Sequence, residues 1–296
     1  LEPLIQSFID YLTFERRYSV HTIRSYQDDL VSFFDFLALQ YGALSLPEVS
    51  PSLIRSWLAS LKDQGLSSRS VNRKISSLKS FYKYQLRSGV VEQSPMSAIT
   101  SPKVSKRLPV YVEQRDIVTL FDEIVFPDDW EGGTDRLLLA IFYHTGMRLS
   151  ELVNLRERQV DVSNRTLKVL GKGNKERVIP VSPVLVEYIQ AYSRQKRVVL
   201  EAPDTVYLLV NSKGKKLYAQ YVYRAVRKYL GRVTTIDKKS PHVLRHTFAT
   251  HLTNSGADLN SVKELLGHSS LAATQVYTHN TIEKLKDVYK KAHPKA

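Results

Sequence analysis

Apolar positions recur at helical spacing through about the first hundred residues. Leu4, Ile5, Phe8, Ile9 and Leu12 share one face of a helix predicted over 3–16. Ser19 is placed to cap a second helix, whose stripe is Ile23, Tyr26, Leu30, Phe33, Phe34 and Leu37. Ser50 followed by Pro51 opens a third, with Leu53, Ile54, Trp57, Leu58 and Leu61 inward and Gly65 at its end. The fourth spans about Ser68 to Arg87, turns Val71, Ile75, Leu78, Phe81, Tyr82 and Leu86 inward, and stops at Gly89.

Prolines then cluster in Ser94-Pro95, Ser101-Pro102-Lys103 and Arg107-Leu108-Pro109, each blocking helix continuation. These signals divide the chain into a helical domain over 1–99, a linker over 100–110 and a mixed domain over 111–296. In the second domain Ile117, Leu120, Phe121 and Ile124 mark a helix, and Arg136–His144 is an apolar helix that breaks at Gly146. A short helix starts over Leu149–Leu155. Thr166–Leu170 and Glu176–Pro180 alternate as strands joined through Gly171–Lys175. Pro183–Arg197 is helical, and Tyr207–Val210 with Lys215–Leu217 is expected as a further strand pair. Helices follow over Ala219–Leu230, Pro241–Ser255, Leu259–Leu266, Ser270–Tyr277 and Thr281–Ala292. The fold class expected is mainly α with a small antiparallel β-sheet.

Hydrophobic content of 43% in 296 residues is enough for two cores of ordinary size. No apolar run reaches about 18 residues, so no membrane span is expected. No signal-peptide pattern opens the sequence, and the start at Leu1 rather than Met is consistent with a few residues trimmed ahead of it. Cys is absent, which excludes disulfides, thiolate catalysis and thiolate metal sites; a cytosolic protein is expected. Lys and Arg number 43 against 29 Asp and Glu, a net charge of +14 that favours a polyanionic partner, most often nucleic acid. The excess is uneven: residues 1–103 hold 12 cations against 9 anions, and the remainder 31 against 20. The fourth helix places Arg69, Arg73, Lys74, Lys79 and Lys83 at outer positions with no Asp or Glu between Ser68 and Arg87, a face suited to phosphate. A basic linker between two basic domains fits closure around a duplex.

The stronger field coincides with an ordered series of chemically capable residues. Arg148 lies in Thr145-Gly146-Met147-Arg148-Leu149-Ser150-Glu151-Leu152. Its guanidinium at a helix junction can grip two phosphate oxygens, can pair with Glu151 three residues on, or can do both, with Glu151 orienting it. Lys172 and Lys175 sit in Gly171-Lys172-Gly173-Asn174-Lys175, whose spacing is not that of a Walker loop. An ammonium on a two-strand lever can protonate a departing oxygen, and chemistry alone does not choose between the two. His242 and Arg245 stand at i and i+3 near a helix start marked by Ser240 and Pro241. His242 with His246 at i, i+4 is also a zinc spacing, but Val243 stands where the zincin Glu would be, and no third ligand is evident. His268 follows Gly267 at a helix junction, and Tyr277, nine residues later in Val276-Tyr277-Thr278-His279, is one of 17 tyrosines.

Taken in order, these strings resemble the tyrosine recombinase family of the λ-integrase type, and most closely its Xer-type members. Tyr18-Ser19-Val20-His21-Thr22-Ile23-Arg24-Ser25-Tyr26 resembles the opening of that family's helical core-binding domain, so the likeness spans nearly the whole chain. It implies a two-domain clamp on DNA, with Arg148, Lys172, His242, Arg245, His268 and Tyr277 as the catalytic set and Lys172 chosen over Lys175. It also implies a mechanism. Tyr277 attacks a phosphodiester to give a 3′-phosphotyrosine, the arginines and His268 stabilise the oxyanion charge, Lys172 protonates the 5′-oxygen, and His242 assists the tyrosine. Phosphotyrosyl exchange conserves ester energy, so neither ATP nor a metal cofactor is expected.

The partners implied are a double-stranded recombination site and a homo- or hetero-tetramer that exchanges C-terminal helices. The role implied is resolution of chromosome or plasmid dimers, and the resemblance leaves open whether a second recombinase or an activator joins the assembly. Ile282, Leu285, Val288 and Tyr289 supply the stripe of that helix, which also fits packing within its own domain. A type IB topoisomerase shares the tyrosine chemistry but not the N-terminal domain or the terminal helix. Mobile-element integrases often add an arm-binding domain, and none is seen here.

Overall fold

The computed structural model describes residues 2–104, 110–171 and 176–267. They belong to two units, Leu1–Lys106 and Arg107–Ala296. In the first, α1 (Glu2–Asp10) does not run on to residue 16 as one regular helix. Tyr11–Glu15 forms a wider turn that Arg16 N–H closes onto Tyr11 O at 3.0 Å. Thr13 Oγ1 donates to Ile9 O at 2.8 Å within it, the side-chain bond to the preceding turn that loosens a helix. α2 (Val20–Tyr41) starts as expected, with Thr22 N–H donating to Ser19 Oγ at 3.3 Å. α3 (Pro51–Asp63) follows, and α4 (Ser68–Arg87) is capped by Ser67.

Phe8, Leu30, Phe33, Ile54, Trp57, Val71, Ile75, Leu78, Phe81 and Tyr82 form the core of this unit. Leu86, expected inward, is exposed instead. Gln85 takes the buried place and donates to Leu4 O at 3.2 Å. Lys74 is likewise not on the outer face. The carboxylate of Asp29 on α2 is fully buried, and Arg73 Nη1 at 2.6 Å, Lys74 Nζ at 3.1 Å and Ser77 Oγ at 2.8 Å all donate to it. A buried anion needs counter-charge, and α4 supplies it across the helix pair.

The second unit is built around α6 (Trp130–Thr145), which is buried on nearly every side from Leu137 to Phe142. It starts earlier than its apolar run because Asp129 caps it, accepting from Gly132 N–H at 2.7 Å. α5 (Gln114–Val118) precedes it and widens into Thr119–Glu123. α7 (Leu149–Val153) follows. Then β1 (Val160–Asp161), β2 (Thr166–Leu170) and β3 (Glu176–Pro180) form an antiparallel sheet in that order, with Leu167 opposite Ile179. Leu167, Val169 and Ile179 point into the core, and the alternate residues face out.

The strand pair expected over Tyr207–Val210 and Lys215–Leu217 reduces to a single bridge, Val210 to Lys216, while Tyr207 bridges to Arg156. Tyr192 Oη accepts from Val210 N–H at 3.2 Å and donates to Val210 O at 3.1 Å, so side chains take the groups a ladder would use. α8 (Pro183–Val199), α9 (Ala219–Val233) and α10 (Pro241–Asn254) pack around α6, and α11 (Leu259–Leu266) packs on α10. Ser240 stands at the α10 N-cap position without a side-chain bond to the backbone, leaving Pro241 to fix the first turn. The helices expected over 270–277 and 281–292 lie outside the described residues. Among those described, no helix is long and apolar enough to cross a membrane.

Candidate active site

α6 and α11 each end on a glycine in the left-handed region, Gly146 at φ 57° and Gly267 at φ 64°. The last carbonyls of a helix have no partner within it, and its C-terminal end carries partial negative charge. Here arginines supply both the missing donors and the opposite charge. Arg245 is buried on α10, and its fork spans both ends: Nη1 donates to Gly146 O at 2.6 Å and Nη2 to Leu266 O at 2.7 Å. Arg148, at the N-cap of α7, donates from Nη2 to Gly267 O at 3.1 Å. Two of the predicted site residues, nearly a hundred positions apart in sequence, are thus brought to one junction.

Glu151 completes the arrangement. It accepts from Arg148 N–H at 2.7 Å and from Arg148 Nη1 at 3.0 Å. The expected ion pair therefore exists, and the carboxylate both caps α7 and orients the guanidinium. Sequence reasoning overlooked its second partner. Arg177 on β3 binds Glu151 bidentately, Nη1 to Oε1 and Nη2 to Oε2, each at 2.8 Å, and its Nε donates to Leu265 O at 2.8 Å. Burial raises the Glu151 carboxyl, but hydrogen bonds from Arg177 and from the Arg148 backbone, with the Arg177 charge, outweigh it and hold the group below its ordinary value. Three successive carbonyls at the end of α11, those of Leu265, Leu266 and Gly267, are each held by a different arginine. The signal for Arg177 was present in the strand alternation, which puts it on the same face as Ile179.

His242 is exposed in the first turn of α10, three residues before Arg245. His246 is half-buried; burial first, and then the neighbouring His242 and Arg245, lower its imidazole below the usual range. It is therefore neutral near neutral pH and suits a supporting place. Lys172, Lys175, His268 and Tyr277 lie outside the described residues. β2 and β3 pair up to Leu170 and Glu176, on either side of the Lys172 segment, and Gly267 directly precedes His268. On α4, Arg69, Lys79 and Lys83 are exposed, Arg73 is half-exposed at Asp29, and Lys74 is turned in to Asp29 with its Nζ 5.5 Å from the Trp57 ring centre.

Chemically, the junction presents fixed cations with donors converging beside the start of the segment that bears the only phenol of the series. Such an array suits charge that develops on phosphate oxygens.

Comparison with known proteins agrees with this geometry. Residues 112–284 match the Phage integrase family, and residues 5–89 match the Phage integrase N-terminal SAM-like domain. Tyrosine recombinase XerC of Oceanobacillus iheyensis is 40% identical over 301 residues, covering 100% of this chain and 97% of that protein. Tyrosine recombinase XerC of Chlorobaculum tepidum is 37% identical, covering 98% and 94%. In fold, the XerH site-specific recombinase bound to palindromic difH substrate in a post-cleavage complex is similar, with a TM-score of 0.76 and 24% identity over 92% of this chain and 80% of that one. The chain therefore belongs to the phage integrase family, among tyrosine recombinases of the Xer type.

Proposed function

We propose that this recombinase cuts and rejoins DNA at a specific site through a 3′-phosphotyrosyl intermediate on Tyr277, in the resolution of chromosome or plasmid dimers. The observation that carries the reading is the convergence of Arg148 and Arg245 on the C-terminal end of α11, immediately before His268 in sequence. Tyr277 Oη attacks phosphorus as the bond to the 5′-oxygen breaks, and the departing oxygen takes its proton from Lys172. Arg148 and Arg245 stabilise the charge on the non-bridging oxygens, with His268 donating beside them, and His242 assists proton transfer at the phenol. A free phenol loses its proton near pH 10, so the surrounding cations also favour the attacking form. The phosphotyrosyl ester keeps the energy of the broken bond, and attack by a 5′-hydroxyl reverses the step.

The exposed cations of α4 contact phosphates of the same site. Four protomers on two duplexes form the active assembly, coupled by the segment after Tyr277, and the reaction takes place in the cytoplasm. The XerC relatives, matched over nearly their whole length, support this role.

The test is capture and sequencing of DNA covalently bound to the protein in cells, with Tyr277→Phe beside it. A single recovered site, absent from the variant, supports the reading. Equal recovery from both proteins rejects Tyr277 as nucleophile, and scattered recovery with relaxation of any supercoiled plasmid indicates topoisomerase action. Two dissimilar half-sites would identify a second recombinase as partner, because a symmetric pair of protomers reads a palindrome.

A further inference from the structure

The hairpin of β2 and β3 is tied to the second unit at two levels. Near its base, Leu167, Val169 and Ile179 are buried in the core. At its outer end Leu170 and Glu176 are both exposed, and their strand neighbour Lys168 reaches Glu176 only across the surface, at 2.7 Å between exposed side chains. Such an exposed pair restrains little. Arg177 stands one residue pair below that outer end, level with Val169 on β2, and is the last inward-facing residue of β3 before the Lys172 segment. All three of its guanidinium nitrogens are used, two on Glu151 and one on Leu265 O. A Cβ added to Gly267 would lie 3.1 Å from Arg177 Cδ, so this side chain also packs against the residue before His268.

We infer that Arg177 is a positioning residue for phosphodiester cleavage: it fixes the outer end of the hairpin that bears Lys172 against Glu151 and the end of α11. This rests on the assignment of Lys172 as the proton donor to the 5′-oxygen. Arg177 touches no reacting atom in that scheme. It ties the strand leading out of the Lys172 segment to Glu151, while Arg148 keeps its own bonds to that carboxylate from its backbone N–H and Nη1, so loss of the Arg177 fork falls on the strand rather than on Arg148. Without Arg177, β3 is held inward only from Ile179 onward, leaving Val169 on β2 as the one buried tie next to the Lys172 segment, and small misplacements of a reacting group are costly.

The test uses the full-length protein and a duplex carrying its captured site, in two forms: the ordinary scissile phosphodiester, and one with sulfur in place of the bridging 5′-oxygen. When Tyr277 attacks the second form the P–S bond breaks and a thiolate leaves, needing no proton. Arg177→Lys keeps the charge but cannot make the three bonds. It is expected to bind the duplex within about 3-fold of the parent and to form adduct at least about 10-fold more slowly on the oxygen substrate, a share of what a general acid contributes. On the sulfur substrate its rate returns to within about 3-fold of the parent. Ile179→Val, which loosens the hairpin base at comparable thermal stability, is expected to show no such oxygen-specific defect.

An unchanged rate on oxygen, or a defect that persists on sulfur, overturns the inference, as does the same oxygen-specific loss in Ile179→Val. Lys172→Ala separates the two levels. If sulfur rescues Lys172→Ala but not Arg177→Lys, this inference alone fails; if it rescues neither, the assignment of Lys172 fails and takes this inference with it.

Discussion

Arg245 Nη2 lies 2.7 Å from the carbonyl oxygen of Leu266, and through this bond a helix that carries candidate chemistry holds the end of a second helix. The same guanidinium reaches back to Gly146 O at 2.6 Å. One side chain therefore sets the spacing between the ends of α6 and α11, from which the chain leads on to Arg148 on one side and to His268 on the other.

Arg245→Lys tests that bridge. An ammonium presents one nitrogen and cannot satisfy both carbonyls, and an unpaired buried carbonyl costs about 1–3 kcal/mol. Urea unfolding should show a loss of that size. Under the proposed mechanism adduct formation should fall by roughly 10²-fold or more, since the planar fork assigned there to developing charge is gone. A variant as stable as its parent would show that the carbonyls do not depend on this fork.

Gly146→Ala should be costly for two separable reasons. The residue has φ 57°, where an L side chain is strained, and an added Cβ would collide with the Phe248 ring. Strain of this kind amounts to about 1–3 kcal/mol, and the clash adds to it. In a Phe248→Ala background the severe clash disappears and only Leu266 Cδ2, at 3.0 Å, stays close, so the cost of Gly146→Ala measured by denaturant unfolding should drop toward the backbone part. An undiminished cost in that background would mean that Phe248 is not the obstacle.

Much of this was legible from periodicity. The stripe on α4 from Val71 to Tyr82, the cap at Ser19 and the paired strands over Thr166–Leu170 and Glu176–Pro180 follow from local rules, and the structure places them where those rules do. What escaped was decided by distant partners. Lys74 sits among cations that read as one solvated face, but its fate was set by Asp29, 45 residues away. Gln85 rather than Leu86 turns inward, where Leu4 O, 81 residues from Gln85, offers a part-buried acceptor. Arg177 stood on the inward face of its strand, yet its role depends on Glu151 and on Leu265 O, 26 and 88 residues distant. In the site, motif order located Arg148 and Arg245, but their shared junction is a product of the fold.

The stability of the second unit should depend on Glu151 in acid. Its folded-state carboxyl lies below the ordinary value of 4.5, because the arginine bonds outweigh burial. A group depressed in the folded state contributes stability that is full above the unfolded value and is lost as pH falls through the folded one. The contribution is thus present at pH 7 and declines below about pH 4.5. Glu151→Gln should flatten this part of the profile while losing about 1–3 kcal/mol at pH 7, measured by urea unfolding at both ends of the range. A variant that keeps the parent's acid slope would assign that slope to other carboxylates.

The cations of α4 should divide into two kinds when DNA binding is measured against salt. Arg69, Lys79 and Lys83 are exposed on the face that carries no acidic residue. Each that neutralises a phosphate releases a counterion, so its replacement by Ala should lower the slope of log K against log salt by about 1. Lys74 is spent on Asp29 inside the unit, with only 12% of its side chain exposed. Lys74→Ala should leave that slope unchanged and instead destabilise the first unit by up to about 3–5 kcal/mol, because it strips a partner from a fully buried carboxylate. Asp29→Leu with Lys74→Met should recover part of that loss, since removing the buried charge together with one of its partners removes the desolvation penalty as well. Should Lys74→Ala lower the salt slope like Lys79→Ala while unfolding like the parent, then Asp29 does not hold this ammonium in solution, and the residue belongs with the phosphate-binding cations.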